Sequence, residues 1–212
     1  MISKLRMIRR KFEFPFPPLY RKRKCVFIHI PKVAGTSILL ALGMSGRGRE
    51  HLPWYVYYSA DPTYYNSAFK FAFVRNPWER TLSAYRCLKF GGDCSPPTEV
   101  ITMLKKYDSF DSFIINGLAK GVLRNHILFL PQSQFIANSY GDIAIDFVGR
   151  YETLHKDYHF VASRLGLKRK LPDENISKGR RQAYQKEYLS ERAVNIVKDL
   201  YIQDIKLFNY EF

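Results

Sequence analysis

Two short stretches of the sequence place basic and hydroxyl side chains directly after an apolar run. The first stretch, within IHIPKVAGTS, combines a lysine with a glycine and two hydroxyl residues. A glycine lets backbone N–H groups approach a phosphate closely, hydroxyls can donate to its oxygens, and the lysine adds positive charge. The stretch therefore predicts an anion-binding loop with six candidate residues: Pro31, Lys32, Ala34, Gly35, Thr36 and Ser37.

The second stretch, RNPWERTLSAY, begins with Arg75. A guanidinium can donate two parallel hydrogen bonds to a phosphate. Ser83 lies two helical turns after Asn76 on the same predicted helix face, so its hydroxyl is expected to reach the anion that Arg75 binds. Either stretch alone is also compatible with an ordinary helix start. Together, in a chain of net charge +15, they indicate a nucleotide with phosphates at both ends of its ribose.

The first stretch differs from a Walker loop in the order of its residues. A Walker loop has its lysine after the glycines, followed by a hydroxyl that binds magnesium. Here Lys32 precedes Gly35, and no acidic partner of the Walker type is evident. The sequence therefore implies no metal site.

The apolar pattern of the sequence predicts the strands that position these residues. They are predicted at 25–30, 70–74 and 143–151, which are short runs rich in β-branched and aromatic residues. Because helices are predicted between the strands, the expected fold is α/β, a P-loop-like three-layer sandwich in which helices flank a central, mostly parallel sheet. Ligands of such folds bind at the carboxyl ends of the strands, where both basic stretches lie.

The helix boundaries are predicted from capping residues. Thr36 or Ser37 is the expected N-cap of the helix after the first strand, and Asn76 that of the helix after the second. The last helix is predicted to begin at Ser190 and to continue as a single helix. The segment 45–67, rich in Tyr, Gly and Pro, is predicted to be irregular.

The net charge of +15 implies an anionic partner such as a nucleotide, an acidic glycan, a nucleic acid or a membrane surface. Many of the basic residues fall within 1–24, which is predicted to be a solvated, poorly ordered N-terminal arm, with a weak tether to anionic lipid as a second use. Residues 25–212 are long enough for one domain with a sizeable core. We therefore expect a single domain after the arm.

The cysteine count and the apolar runs bear on the expected location. Three cysteines favour a reduced compartment, and a bridge between Cys87 and Cys94 stays open as an alternative. No apolar run approaches the roughly 20 residues that span a bilayer. We expect a cytoplasmic protein, with peripheral contact at the inner membrane surface through the basic arm.

Two segments, FIHIPKVAGTS and FAFVRNPWERTLSAY, resemble the cofactor signatures of the sulfotransferases that use 3′-phosphoadenosine 5′-phosphosulfate (PAPS). They are most similar to the carbohydrate branch, with its heparan and chondroitin enzymes and bacterial relatives, and the likeness covers nearly all of 25–212. The resemblance implies that the first loop binds the 5′-phosphosulfate and that Arg75 and Ser83 contact the 3′-phosphate. It also implies a carbohydrate acceptor, such as a polysaccharide or a lipid-linked sugar, with adenosine 3′,5′-bisphosphate as product and no metal.

Within this family reaction, sulfuryl transfer needs a base and a group that stabilises the leaving phosphate. Lys32 is the candidate for the leaving group. His51 is the leading candidate for the base, because relatives often place a catalytic histidine or carboxylate in this part of the chain and imidazole titrates near neutrality. A structural role is the alternative. Glu50 is the adjacent competitor, His126 is a candidate for facing the acceptor, and His29 is expected to be a core or near-cofactor histidine.

The basic loop NISKGRR is the last candidate region. Two interpretations of this loop stay open: a solvated run of charge, or a basic loop whose Lys178 and Arg180 close over the 3′-phosphate, as in other sulfotransferases. The tyrosines around Trp54 offer either stacking surfaces for a sugar or adenine ring, or core packing.

Two other classes of function stay open from the sequence. One is a P-loop kinase that transfers phosphate. The other is a non-enzymatic protein that binds nucleic acid or a membrane through its charge, for which binding would be strongly salt-dependent. For the sulfotransferase itself, no specific nucleic-acid partner is expected.

Overall fold

The computed structural model describes residues 14–44, 50–91, 96–169, 171–172 and 184–212. This described chain forms two compact units. The first contains the residues up to Ile30, with Ala34–Val74 and Gln134–Asn175, and the second contains Pro31–Val33, Arg75–Ser133 and Ile176–Phe212. The predicted anion-binding loop is therefore divided, with Lys32 in the second unit and Gly35 in the first.

The first unit contains a sheet of three parallel strands. They are β1 (Cys25–Ile28), β2 (Phe69–Val74) and β3 (Phe147–Arg150), hydrogen-bonded in the order β1-β2-β3. Parallel neighbours cannot be joined by a tight hairpin, and both connections are long and contain helices. The α-helices of the described chain are α1 (Pro18–Arg23), α2 (Gly35–Ala41), α3 (Trp54–Ala60), α4 (Pro62–Ser67), α5 (Pro77–Phe90), α6 (Thr98–Leu104), α7 (Phe110–Asn116), α8 (Ser133–Ile136), α9 (Leu154–Arg164), α10 (Glu191–Leu200) and α11 (Ile202–Phe208).

The two strands that precede the basic stretches are the most deeply buried. All four residues of β1 are buried, and Phe71 to Val74 of β2 have no exposed surface. This is the burial expected of parallel strands, which are covered on both faces. In β3, Gly149 is required by packing, because a Cβ atom there would lie 2.5 Å from Cε1 of Phe73. The ring of Phe73 occupies the space of the missing side chain.

β2 agrees with its prediction, but β1 and β3 are shorter than predicted. β1 ends at Ile28 because the chain turns there, and the N–H of Ile30 donates to the carbonyl of Ile28 at 3.1 Å. β3 begins only at Phe147. Ile143, predicted to start this strand, instead forms an isolated antiparallel bridge with Ala137.

The part of the predicted basic arm that the structure describes packs on the first unit. Phe16 and Tyr20 are 3% and 1% exposed, and the Tyr20 hydroxyl donates to the carbonyl of Phe27 at 3.0 Å. Arg21 forms an ion pair with Asp61 at 3.0 Å. The prediction of a solvated terminus is therefore wrong for residues 14–24, because the aromatic side chains of Phe16 and Tyr20 are buried within this unit. Residues 1–13 lie outside the described part of the chain.

The segment predicted to be irregular contains two helices, α3 and α4. The carboxylate of Asp61 accepts from the N–H of Tyr64 at 2.9 Å, and Pro62 occupies the first turn, so α4 has a regular N-cap. Tyr57 and Tyr65 are each 3% exposed and supply the inner faces of these helices. The prediction was wrong because Tyr57 and Tyr65 pack as core residues and stabilise these two helices. Residues 45–49 lie outside the described chain.

The second unit is helical, and α5 is its central element. Its predicted start is confirmed, because the Asn76 side chain accepts from the N–H of Trp78 at 3.0 Å with Pro77 in the first turn. The predicted inward residues Trp78, Leu82 and Tyr85 are all buried. They belong to one apolar cluster with residues of α7 and α10.

The C-terminal segment forms two helices where one is predicted. Ser190 is the N-cap of α10, as predicted, and its hydroxyl accepts from the N–H of Ala193 at 3.3 Å. The chain leaves helical geometry at Tyr201, which is 2% exposed and whose hydroxyl donates to the carbonyl of Phe129 at 2.8 Å. This buried anchor lies at the break between α10 and α11.

The cysteines occupy two different environments. Cys25 in β1 is a free thiol, and burial raises its pKa to about 12. Cys87 in α5 is disulfide-bonded. Cys94 lies outside the described residues.

Candidate active site

The backbone of the first basic stretch is unusual at two positions. Lys32 has a φ of 68° and Ala34 a φ of 64°. Left-handed backbone costs a residue with a side chain roughly 1–3 kcal/mol and is concentrated at functional sites. Because neither residue is a glycine, the conformation is imposed by the surrounding structure.

Gly35 is required by a histidine. A Cβ atom at this position would lie 1.8 Å from Nε2 of His29. The imidazole therefore lies directly against the start of α2, where any side chain would collide with it. α2 begins at Gly35, with Ala34 as N-cap, so the predicted capping by Thr36 or Ser37 is wrong.

Exposure alternates along the stretch. Pro31, Gly35 and Ser37 are buried, whereas Lys32, Ala34 and Thr36 are half-buried. Ser37 is only 2% exposed. Of the six residues predicted to contact an anion, the half-buried three are those that solvent reaches.

His51 is held by a backbone carbonyl of the first unit. Its Nδ1 lies 2.8 Å from the carbonyl oxygen of His29. A carbonyl can only accept, so Nδ1 carries the proton and donates it. In the neutral ring, Nε2 then has the lone pair, which is the form that a general base needs.

His29 itself lies in the core of the first unit. It is 5% exposed, and its ring stacks on Phe27 with centroids 5.5 Å apart. Its centroid lies 4.3 Å from that of His51. The expectation of a core histidine is confirmed, and this ring connects Gly35 with His51.

Arg75 follows β2 directly and belongs to the second unit. Its Nη1 donates to the carbonyl of Lys32 at 3.2 Å, and its Nη2 pairs with Glu79 at 2.8 Å. The Arg75 side chain is 13% exposed. The two predicted basic stretches, 43 residues apart, therefore meet at Arg75 and Lys32.

The helix face predicted to join Arg75 and Ser83 is only partly available. Ser83 is half-buried in α5. Arg80, about one helical turn after Asn76, is 1% exposed, and its guanidinium donates to the carbonyls of Leu128 and Leu130. Arg80 is therefore a structural residue of the second unit.

The other predicted residues have distinct environments. Glu50 is exposed beside His51. His126, in the second unit, is half-buried, and burial lowers the pKa of its imidazole. Its Nδ1 lies 3.3 Å from the N–H of Leu128, which donates to it, so the proton of the neutral ring is on Nε2. His126 thus presents a donor where His51 presents an acceptor.

Lys178 and Arg180, predicted to close over a phosphate, lie outside the described residues. Among the residues that the structure does describe, no cluster of His, Cys, Asp or Glu could hold a metal ion. In the same part of the chain, no helix combines the length and apolar character needed to cross a bilayer.

A model described as the sulfotransferase family matches residues 20–211. The chain belongs to the sulfotransferase family. No single curated protein matches it. The predicted family is therefore confirmed, as is the α/β fold class with its parallel sheet. Sulfuryl transfer is the reaction of the family, so the match favours the sulfotransferase over the P-loop kinase and the non-enzymatic binder.

Sequence reasoning missed two buried residues next to the candidate site of this sulfotransferase. Gln132 and Asp204 are both 0% exposed, and Gln132 hydrogen-bonds to Arg75. Gln132 lies in the segment PQSQFI, between the second and third strands. Because Ser133 and Gln134 beside it are polar as well, nothing in this segment marks Gln132 as buried, and for Asp204 the amphipathic helix pattern concealed the burial.

Proposed function

We propose that this sulfotransferase transfers a sulfuryl group from PAPS to a hydroxyl or amine of a carbohydrate. The contact between the Arg75 guanidinium and the Lys32 carbonyl carries the proposal, because it joins residues from the two stretches that resemble the donor signatures. In this proposal Lys32, Gly35, Thr36 and Ser37, with Pro31 and Ala34, bind the 5′-phosphosulfate. Arg75 and Ser83 bind the 3′-phosphate, with Lys178 and Arg180 of the basic loop.

His51 is the proposed general base. Because its Nδ1 donates to the His29 carbonyl, Nε2 can accept the proton of the acceptor hydroxyl. The new bond forms between the acceptor oxygen and sulfur while the bond from sulfur to the 5′-phosphate oxygen breaks. Lys32 stabilises the negative charge on the departing phosphate of adenosine 3′,5′-bisphosphate.

The carbohydrate acceptor is proposed to contact a histidine, a carboxylate and exposed tyrosines. His126 offers a neutral Nε2–H donor to an acceptor oxygen, and Glu50 offers an exposed carboxylate. Tyr55 and Tyr58 in α3 are 53% and 42% exposed and can stack on a sugar ring. The net charge of +15 favours an acidic polysaccharide or a lipid-linked acidic sugar, and peripheral membrane contact at a cytoplasmic surface stays a prediction.

Calorimetric titration tests the donor assignment. Adenosine 3′,5′-bisphosphate is expected to bind, whereas ATP with magnesium is not. Lys32→Ala and Arg75→Ala should each weaken bisphosphate binding at least tenfold, since each removes a positive charge from a phosphate site. Equal affinity for ATP, or unchanged binding by both variants, would contradict the donor assignment.

A second assay tests the acceptor. Labelled PAPS is incubated with a panel of acidic polysaccharides, neutral oligosaccharides and lipid-linked sugars, and label transfer is measured. Transfer to a carbohydrate is expected. Binding of the bisphosphate together with transfer only to non-carbohydrate hydroxyls would leave the donor assignment standing and overturn the carbohydrate assignment.

A further inference from the structure

The main chain of Arg75 is held by a buried glutamine of the second unit. The N–H of Arg75 donates to Oε1 of Gln132 at 2.9 Å, and Nε2 of Gln132 donates to the carbonyl of Arg75 at 2.8 Å. The side-chain amide of Gln132 has a carbonyl acceptor and an N–H donor. It therefore hydrogen-bonds to both the backbone N–H and the backbone carbonyl of Arg75, as a neighbouring strand would. Gln132 thus fixes the backbone position of Arg75.

Gln132 is itself fixed by a buried carboxylate. Asp204 in α11 is 0% exposed, and its two oxygens accept from the N–H groups of Gln132 at 2.7 Å and of Ser133 at 2.8 Å. A buried carboxylate is costly unless its oxygens are hydrogen-bonded, so these two donors are needed to keep Asp204 in place. Because Asp204 accepts from the backbone N–H of Gln132, it fixes the backbone position from which the Gln132 side chain extends.

Together these contacts form a connected series within one unit. Asp204 holds the backbone of Gln132, the Gln132 amide holds the backbone of Arg75, and the Arg75 guanidinium reaches the Lys32 carbonyl. With both its backbone and its guanidinium held, Arg75 has little freedom to change position. Preorganisation of this kind matters because displacing a binding group by about 1 Å can cost roughly 100-fold in activity.

We propose that Gln132 and Asp204 are positioning residues for donor binding, acting through Arg75. This inference rests on the proposed function, in which Arg75 binds the 3′-phosphate of the donor. Neither residue needs to touch the donor. Loss of either should weaken donor binding more than it lowers turnover at saturating donor.

The test uses two substitutions at Gln132 in the full chain. Gln132→Met keeps the length of the side chain and removes both hydrogen bonds. Gln132→Glu keeps the shape and the acceptor but, when ionised, cannot donate to the Arg75 carbonyl. Each variant is expected to raise the Kd of adenosine 3′,5′-bisphosphate roughly tenfold or more, and the KM for PAPS with it, while kcat changes less.

Two further readouts separate positioning from general destabilisation. Lowering the pH protonates the glutamate of Gln132→Glu and restores its donor, so its Kd should approach that of the wild type at acidic pH. Asp204→Asn is compared with Asp111→Asn, the matched control in the same unit. Asp111 is 6% exposed and also accepts two hydrogen bonds, from Leu189 and Ser190. Both aspartate variants should lower Tm, but only Asp204→Asn should weaken bisphosphate binding.

The outcomes are distinguishable. If the wild type binds no bisphosphate, the proposed function fails and takes this inference with it. If the wild type binds and the Gln132 variants bind equally well, the inference alone is overturned. It is also overturned if neither Gln132 variant folds, because the residue would then be required for the fold and not for position.

Discussion

The two strand ends of this sulfotransferase hold their candidate residues in different ways. At the end of β1, a close-packed imidazole sets the arrangement: His29 occupies the space beside Gly35 and its carbonyl holds His51. At the end of β2, hydrogen bonds set it: Arg75 is bonded through its backbone to Gln132 and through its guanidinium to Glu79 and the Lys32 carbonyl.

This difference predicts that the stability of the two strand ends responds to different kinds of substitution. Close packing responds to added volume, because no space exists for a new atom. A hydrogen-bonded site responds to loss of a donor or acceptor, because the remaining partner is left buried without its bond. At the end of β1, added methyl groups should therefore lower the stability of the fold more than changes of polarity do. At the end of β2, loss of a donor or an acceptor should lower it more than added methyl groups do.

The largest expected effect tests the chemistry at the β1 end. His51→Ala should lower kcat roughly 10²–10⁴-fold, because a general base contributes about that much. His51→Asn retains an N–H near the position of Nδ1, so it can still donate to the His29 carbonyl, but it has no basic nitrogen. Steady-state turnover and bisphosphate affinity are measured for both. Similar losses of kcat at unchanged affinity are expected, and wild-type turnover in either would place the base elsewhere.

The next effect breaks the packing at the same strand end. Gly35→Ala should destabilise the protein by about 1–3 kcal/mol or more, because the new methyl group collides with the His29 ring. Urea unfolding measures the change in the free energy of unfolding. Thr36→Ala, at the next and more exposed position, is the matched control and should change it by less than about 0.5 kcal/mol.

A double-mutant cycle sharpens this prediction. His29→Ala removes the ring, so adding Gly35→Ala to it should cost much less than in the wild type. Additive effects of the two substitutions would show that the collision is not what makes glycine necessary.

A smaller loss of stability is expected when hydrogen bonds at the end of β2 are removed. The Asn76 side chain caps α5 through Oδ1 and donates through Nδ2 to the carbonyl of Glu211 at 2.7 Å. Asn76→Ala loses both contacts and should cost about 0.5–2 kcal/mol. Asn76→Asp keeps the cap and loses only the donation, so its unfolding free energy should fall between the other two. An aspartate variant as unstable as the alanine variant would contradict this division.

The smallest effect concerns pH and the half-buried ring of His126. Burial lowers its pKa in the folded state, so the unfolded chain binds the proton at a higher pH. The stability that depends on the neutral ring is complete above the ordinary histidine pKa of about 6.5 and is lost as the pH falls through the lower, folded-state pKa. His126→Asn should flatten the decline in urea midpoint between about pH 7.5 and 5.5. An equally steep decline in this variant and in the wild type would contradict the prediction.

Local patterns were sufficient for several elements. The start of α5 was predictable because Asn76 and Pro77 act on their own first turn. β1 and β2 were predictable because buried parallel strands are continuously apolar. The segment of α3 and α4 was wrongly predicted to be irregular, because whether its aromatic residues pack in a core or lie in a loop depends on partners distant in the chain.

In the candidate site, too, some features depend on local sequence and others on contacts between distant residues. The sequence by itself determined the types of residue at each strand end, the resemblance to sulfotransferases and the candidate base His51. Only the tertiary structure decided that Gly35 is required by His29, that Nδ1 of His51 donates to the His29 carbonyl, and that Gln132, itself bonded to Asp204, holds the backbone of Arg75. The physical reason is separation along the chain: a cap or a strand depends on neighbours a few residues away, whereas these contacts join residues up to 72 positions apart.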